Sequence, residues 1–145
     1  MSISSRFAVA IHILALIEIN KEGVSSSEFL AESVNTNPVV IRKIMGMLKK
    51  SGLLEVHPGK AAAKLAKELS NITLLDVYKA VEVVQDKELF SVHQNTNPKC
   101  PVGRNIQSTI EPIFEASQLA MEKVLESVTL GDIVKDIAAK EKSIC

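Results

Sequence analysis

Hydrophobic residues recur every three or four positions through most of the chain, which predicts a mainly α-helical protein. The first such segment, residues 5–20, is apolar over so much of its surface that we expect it to be buried on several sides. His12 lies within it and is interpreted as a core or edge histidine with a hydrogen-bond partner. A second helix, ending near Val34, is predicted to begin with a capping box formed by Ser25 and Glu28.

Residues 37–52 form the most informative amphipathic pattern. Asn37 suits the N-cap, Pro38 the first helical position and Gly52 the C-terminal stop. The apolar stripe of this helix consists of Ile41, Ile44, Met45 and Leu48. Its other face is basic, contains no acid, and carries Val39, Arg42, Lys43, Lys49 and Lys50. A basic face on a helix of this length fits a DNA major groove, although an ordinary solvated helix face has the same pattern.

Two short segments after this helix predict a β-hairpin. Residues 53–57 read as a strand, Pro58-Gly59 is a turn signal, and residues 63–67 are the candidate return strand. Alanine disfavours strands, so local propensity argues against the second half of the hairpin. A helix, a turn, a basic helix and a hairpin together predict a winged helix-turn-helix, with His57, Lys60 and Lys64 on the wing.

The C-terminal half predicts a helix capped at Thr73, a long helix over about residues 100–127, and a last helix capped by Thr129 and Asp132. Pro112 is expected to kink or interrupt the long helix. At about 40 Å, this helix is longer than a winged domain needs, so its apolar face is expected to meet a second copy. We predict a DNA-binding domain at residues 1–84 and a dimerisation and sensing region at residues 85–145.

Charge is distributed unevenly although the formal net charge is zero. Residues 1–67 carry nine basic and five acidic residues, whereas residues 68–145 carry eight basic and twelve acidic ones. Residues 36–67 alone have a net charge of +6. This asymmetry indicates that the first half meets phosphate. No apolar run approaches the ~20 residues that span a bilayer, and the N-terminus lacks a basic signal-peptide start, so we expect a cytoplasmic protein without a membrane partner.

Five segments in this order resemble the bacterial winged-helix regulators that include IscR, NsrR and CymR, most closely their YwnA-like branch. They are SSRFAVAIHILALI, SVNTNPVVIRKIMGMLKKSGLL, ITLLDVYKAVE, NPKCPVG and TLGDIV. The resemblance spans nearly the whole chain. It implies an N-terminal winged helix-turn-helix with a long C-terminal dimerisation helix, in agreement with the pattern of hydrophobic positions.

The chain departs from this family at two places. Wings of the family usually read Arg-Gly-x-Gly-Gly-x-Tyr, whereas residues 57–63 read HPGKAAA, which puts the wing's DNA contacts in doubt. The second departure is at the cluster site around Cys100. Iron–sulfur members carry three cysteines there and a further ligand three residues after the last of them. This chain has only Cys100 there, with Gly103 at the ligand position. Because a cluster needs about four ligands, we expect no iron–sulfur cofactor and no metal site.

Cys100 precedes Pro101 at the predicted start of the long helix, with Lys99 and Arg104 nearby. An exposed thiol in such a setting is open to oxidation, and some relatives without a cluster are thiol redox sensors. A buried cysteine that packs the helix start is the alternative interpretation. Cys145 could resolve a disulfide or have no role.

We therefore predict a homodimeric transcriptional regulator, more specifically a repressor, that binds a pseudo-palindromic double-stranded DNA operator. The predicted DNA-binding residues are Arg6, Ser26, Ser27, Thr36, Asn37, Val39, Arg42, Lys43, Lys49, Lys50, His57 and Lys60. The alternatives are a winged-helix module for protein–protein interaction and a regulator that responds to a small-molecule effector. The sequence has no nucleophile–base constellation, metal-ligand spacing or phosphate-binding glycine loop, so we predict no enzymatic activity.

Overall fold

The computed structural model describes residues 3–56, 63–82, 90 and 92–144. Six helices and two strands are formed within these ranges, in the order that the sequence predicts. They are α1 (Ile3–Ile19), α2 (Ser27–Val34), α3 (Pro38–Lys50), β1 (Leu54–Val56), β2 (Ala63–Leu65), α4 (Leu74–Val81), α5 (Pro101–Glu126) and α6 (Leu130–Ile144). A 3-10 turn, Leu69–Asn71, precedes α4.

Helix α1 is the centre of the hydrophobic core. Ala10, Ile13, Leu14 and Ile17 are at most 1% exposed, and α2, α3, α4, α6 and β2 all pack against this helix. The prediction that it is buried on several sides is confirmed. His12 lies at the edge of the core, where its Nε2 is 2.9 Å from Ser33 Oγ on α2, so it has the partner that was expected.

Helix α2 begins one residue later than the capping-box prediction required. Ser26 is the N-cap, and its Oγ accepts a hydrogen bond from Phe29 N at 3.1 Å. Ser25 is buried, and its hydroxyl accepts from Asn20 Nδ2 at 3.3 Å instead. The predicted Ser25–Glu28 capping box is therefore wrong. Because the cap has moved, the Glu28 carboxylate is not needed to satisfy the amide of Ser25.

Helix α3 and the hairpin follow the sequence pattern closely. Ile41, Ile44 and Leu48 are buried, and Asn37 caps the helix ahead of Pro38 as predicted. Strands β1 and β2 pair antiparallel with Leu54 opposite Leu65, Glu55 opposite Lys64 and Val56 opposite Ala63. The return strand therefore forms despite its alanines, because Ala63 packs into the hydrophobic core.

The starts of α4 and α6 lie side by side. Thr73 and Asp76 form a capping box, and Thr129 and Asp132 form the same pair of reciprocal hydrogen bonds at the start of α6. Thr73 and Thr129 face each other in an isolated antiparallel bridge. Leu130, which follows the second cap, is fully buried in the core, so α6 is attached to the same core as α1.

Helix α5 is one continuous element of 26 residues that runs through Pro112. Of the two expected effects of this proline, the interruption does not occur, and the kink stays a prediction. At ~1.5 Å per residue it is about 39 Å long, and none of its side chains is buried. Within the ranges described, no helix is long and apolar enough to cross a membrane.

Candidate nucleic-acid interface

Two asparagines fix the turn between α2 and α3. Asn35 adopts the left-handed conformation at φ 64°, which asparagine tolerates better than most residues. The Asn35 and Thr36 amides then donate to the carbonyls of Glu32 and Ala31, closing the end of α2. Asn37 Oδ1 accepts from Val40 N at 3.0 Å and starts α3. The geometry of this turn is thus determined by residues within it.

The outer face of α3 is exposed and basic. Val39 is 65% exposed, and Arg42, Lys43, Lys49 and Lys50 are all exposed on the same helix. No acidic residue lies within α3. The opposite side of the helix is fixed to the core, so these side chains form a strip of positive charge on a rigid element. We refer to these five residues as the basic strip.

Gly46 lies on the same outward side of α3. A Cβ built at this position meets no atom within 4 Å, so the backbone there is open to solvent. An exposed helix of 13 residues with a basic face and an uncrowded centre is compatible with the width of a major groove.

Arg42 is held by the first turn of α2. Its Nη1 donates to Ser27 Oγ at 3.2 Å and lies 3.8 Å from Glu28 Oε1. Ser27 Oγ in turn lies 3.3 Å from Glu28 Oε2. The sequence does not reveal this contact, because a run of three serines does not show which one caps the helix and which one faces α3.

The remaining predicted DNA-binding residues differ in their surroundings. Ser26 and Asn37 each use a side-chain oxygen for a helix cap. Thr36 is half-buried in the turn between α2 and α3. Arg6 lies on α1, and its buried Nε has no hydrogen-bond partner among the described atoms. His57 and Lys60 lie outside the described residues, and so does the centre of the wing.

Cys100 is the N-cap of α5, and its thiol is exposed and free. Its carbonyl accepts from Arg104 N at 3.0 Å, and its amide donates to Asn97 O at 3.2 Å. The alternative of a buried packing cysteine is therefore wrong. Gly103 has a packing role that the sequence analysis missed, since a Cβ there would lie 2.4 Å from Asn97 O.

A groove of about 500 Å³ lies along α5. The rings of Phe90 and Phe114 are 5.3 Å apart at one side of it, and the carboxylates of Glu111, Glu115 and Glu122 line it as well.

The Rrf2 family profile, described as iron-dependent transcriptional regulators, matches residues 3–136. The donor set of this chain does not fit an iron centre. Cys100 is exposed beside Lys99 and Arg104, and no group of three or more His, Cys, Asp or Glu side chains converges within the described residues. The other cysteine of the sequence, Cys145, lies outside them.

Relatives cover almost the full length of the chain. YwnA of Bacillus subtilis, named as an HTH-type transcriptional regulator, is 48% identical over 135 residues, which are 93% of this chain and 98% of YwnA. A crystal structure described as that of a DNA-binding protein is 44% identical, with a TM-score of 0.72 over 88% of this chain and 97% of that one. CymR of Bacillus subtilis, described as the global cysteine regulator, is 20% identical and shares the fold, with a TM-score of 0.65 over 93% of this chain and 97% of CymR.

These matches confirm the predicted fold and the predicted resemblance. They also agree with the helix-turn-helix of the structure. The chain therefore belongs to the Rrf2 family of transcriptional regulators, which bind DNA and are not enzymes.

Proposed function

We propose that the protein is a homodimeric repressor that inserts α3 into the DNA major groove of a pseudo-palindromic operator. The observation that carries the proposal is the basic strip, in which four exposed cations project from one rigid helix that contains no acid. In this arrangement residues 1–84 bind DNA and residues 85–145 dimerise and sense a signal. A bound dimer blocks transcription by occupying the operator.

The side chains divide into two roles by their position on the turn and on α3. Thr36, Asn37, Val39, Arg42 and Lys43 lie at the start of α3 and approach the base edges, where a helix of this type reads sequence. Lys49 and Lys50 lie in its last turn and bind phosphates, which fixes register without reading sequence. On the other elements, the residues proposed to contact the DNA backbone are Arg6, Ser26, Ser27, His57 and Lys60.

The proposed dimer interface lies on α5. Val102, Ile113 and Val124 are 67%, 58% and 64% exposed, and they follow one another at intervals of 11 residues, or about three turns. They therefore form one apolar line along the helix. In the proposed dimer a second copy covers this line, and the two α3 helices must lie on one side of the dimer to reach half-sites about one helical turn or a multiple apart.

Exposure of the Cys100 thiol at the start of this helix supports a redox input. A peroxide would oxidise the thiol to sulfenic acid with release of water, or of an alcohol from an organic peroxide. The product carries an additional oxygen at the start of α5, next to the loop that contains Asn97.

Fluorescence anisotropy tests the proposal with a labelled duplex from the region upstream of the protein's own gene. We expect tight binding that weakens steeply with salt, because phosphate contacts release counterions. Oxidation with hydrogen peroxide should abolish binding by the wild type and leave Cys100→Ser unaffected. Binding that survives oxidation refutes the redox input and leaves the repressor. Binding no tighter than to random DNA refutes operator recognition by α3.

A further inference from the structure

Glu28 is an acidic side chain placed directly beside the basic strip. It lies in the first turn of α2, its side chain is 72% exposed, and its nearest cation is Arg42, whose side chain is 56% exposed. Resting on the proposed DNA binding, we propose that Glu28 determines DNA specificity by acting through Arg42. It positions the guanidinium for a base edge and keeps it away from phosphates of unrelated sequence.

Among the residues that the structure describes, Arg42 is held only through Nη1, by Ser27 and Glu28. Ser27 Oγ accepts from Arg42 Nη1 at 3.2 Å and lies at 3.3 Å from Glu28 Oε2, so the hydroxyl can donate to the carboxylate while it accepts from the guanidinium. The second carboxylate oxygen lies 3.8 Å from the same Nη1. A guanidinium has two further nitrogens, which have no partner within the described part of the chain and can present donors to O6 and N7 of a guanine.

Stability alone does not account for this arrangement. Exposed ion pairs contribute little to the free energy of folding, because water screens them and ordering two long side chains costs entropy. Ser26 caps α2, so Glu28 is not needed as a capping residue either. A favourable interaction with the dipole of α2 remains as the alternative explanation, but it would act equally on every DNA sequence.

The expected effect on recognition follows from what each complex demands. On unrelated DNA, binding depends on neutralising phosphates, and an arginine already paired with Glu28 contributes little to that. On the operator, Arg42 meets neutral base acceptors and can keep its contacts with Ser27 and Glu28. Glu28 therefore weakens non-specific binding more than specific binding, which raises the ratio of specific to non-specific affinity.

The test uses the full-length protein and two duplexes of equal length. One is the best binder that the wild type selects from a randomised pool, and the other is a scrambled version of it. Glu28→Gln should bind the scrambled duplex about three- to tenfold more tightly, because Arg42 becomes free to bind phosphate. The salt slope, which is the slope of log affinity against log salt concentration, should become steeper by about one, as expected for one more phosphate contact. Affinity for the selected duplex should change less than about twofold.

Glu32→Gln is the matched control. It removes the same charge from the same helix, and within the described residues Glu32 forms no ion pair with Arg42. We expect a smaller gain that is similar on both duplexes. In an Arg42→Ala background, Glu28→Gln should lose its selective effect and behave like Glu32→Gln. Urea unfolding of each variant verifies that the fold is retained.

The outcomes separate the inference from the proposed function. Equal changes on both duplexes, or the same response to Glu28→Gln and Glu32→Gln, overturn the role of Glu28 while DNA recognition stands. If Glu28→Gln loses affinity for both duplexes alike, the Glu28–Arg42 contact serves to set the angle between α2 and α3, and the role of Glu28 in specificity is overturned as well. If the wild type selects no preferred duplex, the proposed function fails and the inference fails with it.

Discussion

Thr73 and Thr129 pair across an antiparallel bridge although they lie at the starts of two different helices. Backbone hydrogen bonds on either side of the bridge reinforce it, from Leu74 N to Val128 O at 2.9 Å and from Leu130 N to Ile72 O at 2.7 Å. Helix α4 packs against α3 as well as α5. A displacement at the end of α5 therefore has a short physical route to the helix that carries the basic strip.

Replacing Thr129 with alanine should destabilise the protein by about 1 kcal/mol, within the range of ~0.5–2 for lost N-caps. The reason is that Thr129 Oγ1 accepts from Asp132 N at 3.2 Å, and the variant leaves that amide without its cap. Urea unfolding followed by circular dichroism measures the difference. Ser127→Ala is the control, because Ser127 is exposed and its hydroxyl donates to Val124 O at the end of its own helix, its one hydrogen bond to a described residue. A Thr129→Ala protein no less stable than Ser127→Ala would contradict a contribution specific to this cap.

Two glycines are predicted to respond in opposite directions to the same change. Gly103→Ala would place a Cβ 2.4 Å from Asn97 O, so the loop must move, and we expect a loss of about 1–3 kcal/mol. Gly46→Ala adds a methyl group in open space within α3 and should stabilise the protein by about 0.5–1 kcal/mol. Thermal unfolding of both variants measures the effects. A stabilised Gly103→Ala protein would contradict the packing of this loop on α5.

Arg42→Ala should weaken binding to the selected duplex by about 1–3 kcal/mol and relax the preference at one base position, because a base-reading side chain is lost. Lys50→Ala is expected to weaken binding to all duplexes alike and to lower the salt slope by about one. Anisotropy titrations on the selected and scrambled duplexes measure both. Uniform loss for Arg42→Ala would instead assign Arg42 to a phosphate.

Ile113→Asp should disrupt the proposed dimer, because it places a charge on the exposed apolar line of α5, where Ile113 is 58% exposed. Sedimentation velocity at several concentrations measures the association. Ser108→Asp adds the same charge at an exposed position on another side of the helix and should leave association unchanged. A dimer that persists in Ile113→Asp would place the interface elsewhere.

Tyr78 should make the fold sensitive to alkaline pH. Burial, followed by the nearby carboxylates of Glu82 and Glu122, raises its pKa above the ordinary value of 10.0. Since the unfolded chain loses this proton first, its stabilising contribution is complete below pH 10 and is lost as pH rises through the folded pKa. Tyr78→Phe should remove this component. Tyr78 is the single tyrosine of the sequence, so ultraviolet absorbance reports its ionisation directly; an unshifted titration would contradict the prediction.

The features that the sequence predicted correctly are those that depend on neighbours a few residues apart. Asn37 and Pro38 identify the start of α3, and the apolar stripe identifies its buried side, because caps and helical periodicity are local. The cap of α2 was misplaced by one residue because Ser25 and Ser26 are chemically equivalent and only packing against Asn20 distinguishes them.

The contacts that the sequence could not predict join separate elements. Arg42 meets Glu28 only because the turn at Asn35 sets the angle between α2 and α3. Gly103 meets Asn97 only because a loop folds back over the first turn of α5. Both contacts depend on tertiary geometry, which periodicity and propensity do not determine.

Helix α5 has no buried side chain within its own chain. In the proposed dimer, the stability of the protein would therefore depend on its concentration. If a second copy covers the apolar line, every dissociation event exposes it, and mass action makes resistance to unfolding rise with concentration. Dilution alone would then lower the melting temperature. A cell that makes little of this regulator would hold it partly as a less stable monomer, so the gene's expression level would help to set the lifetime of its product.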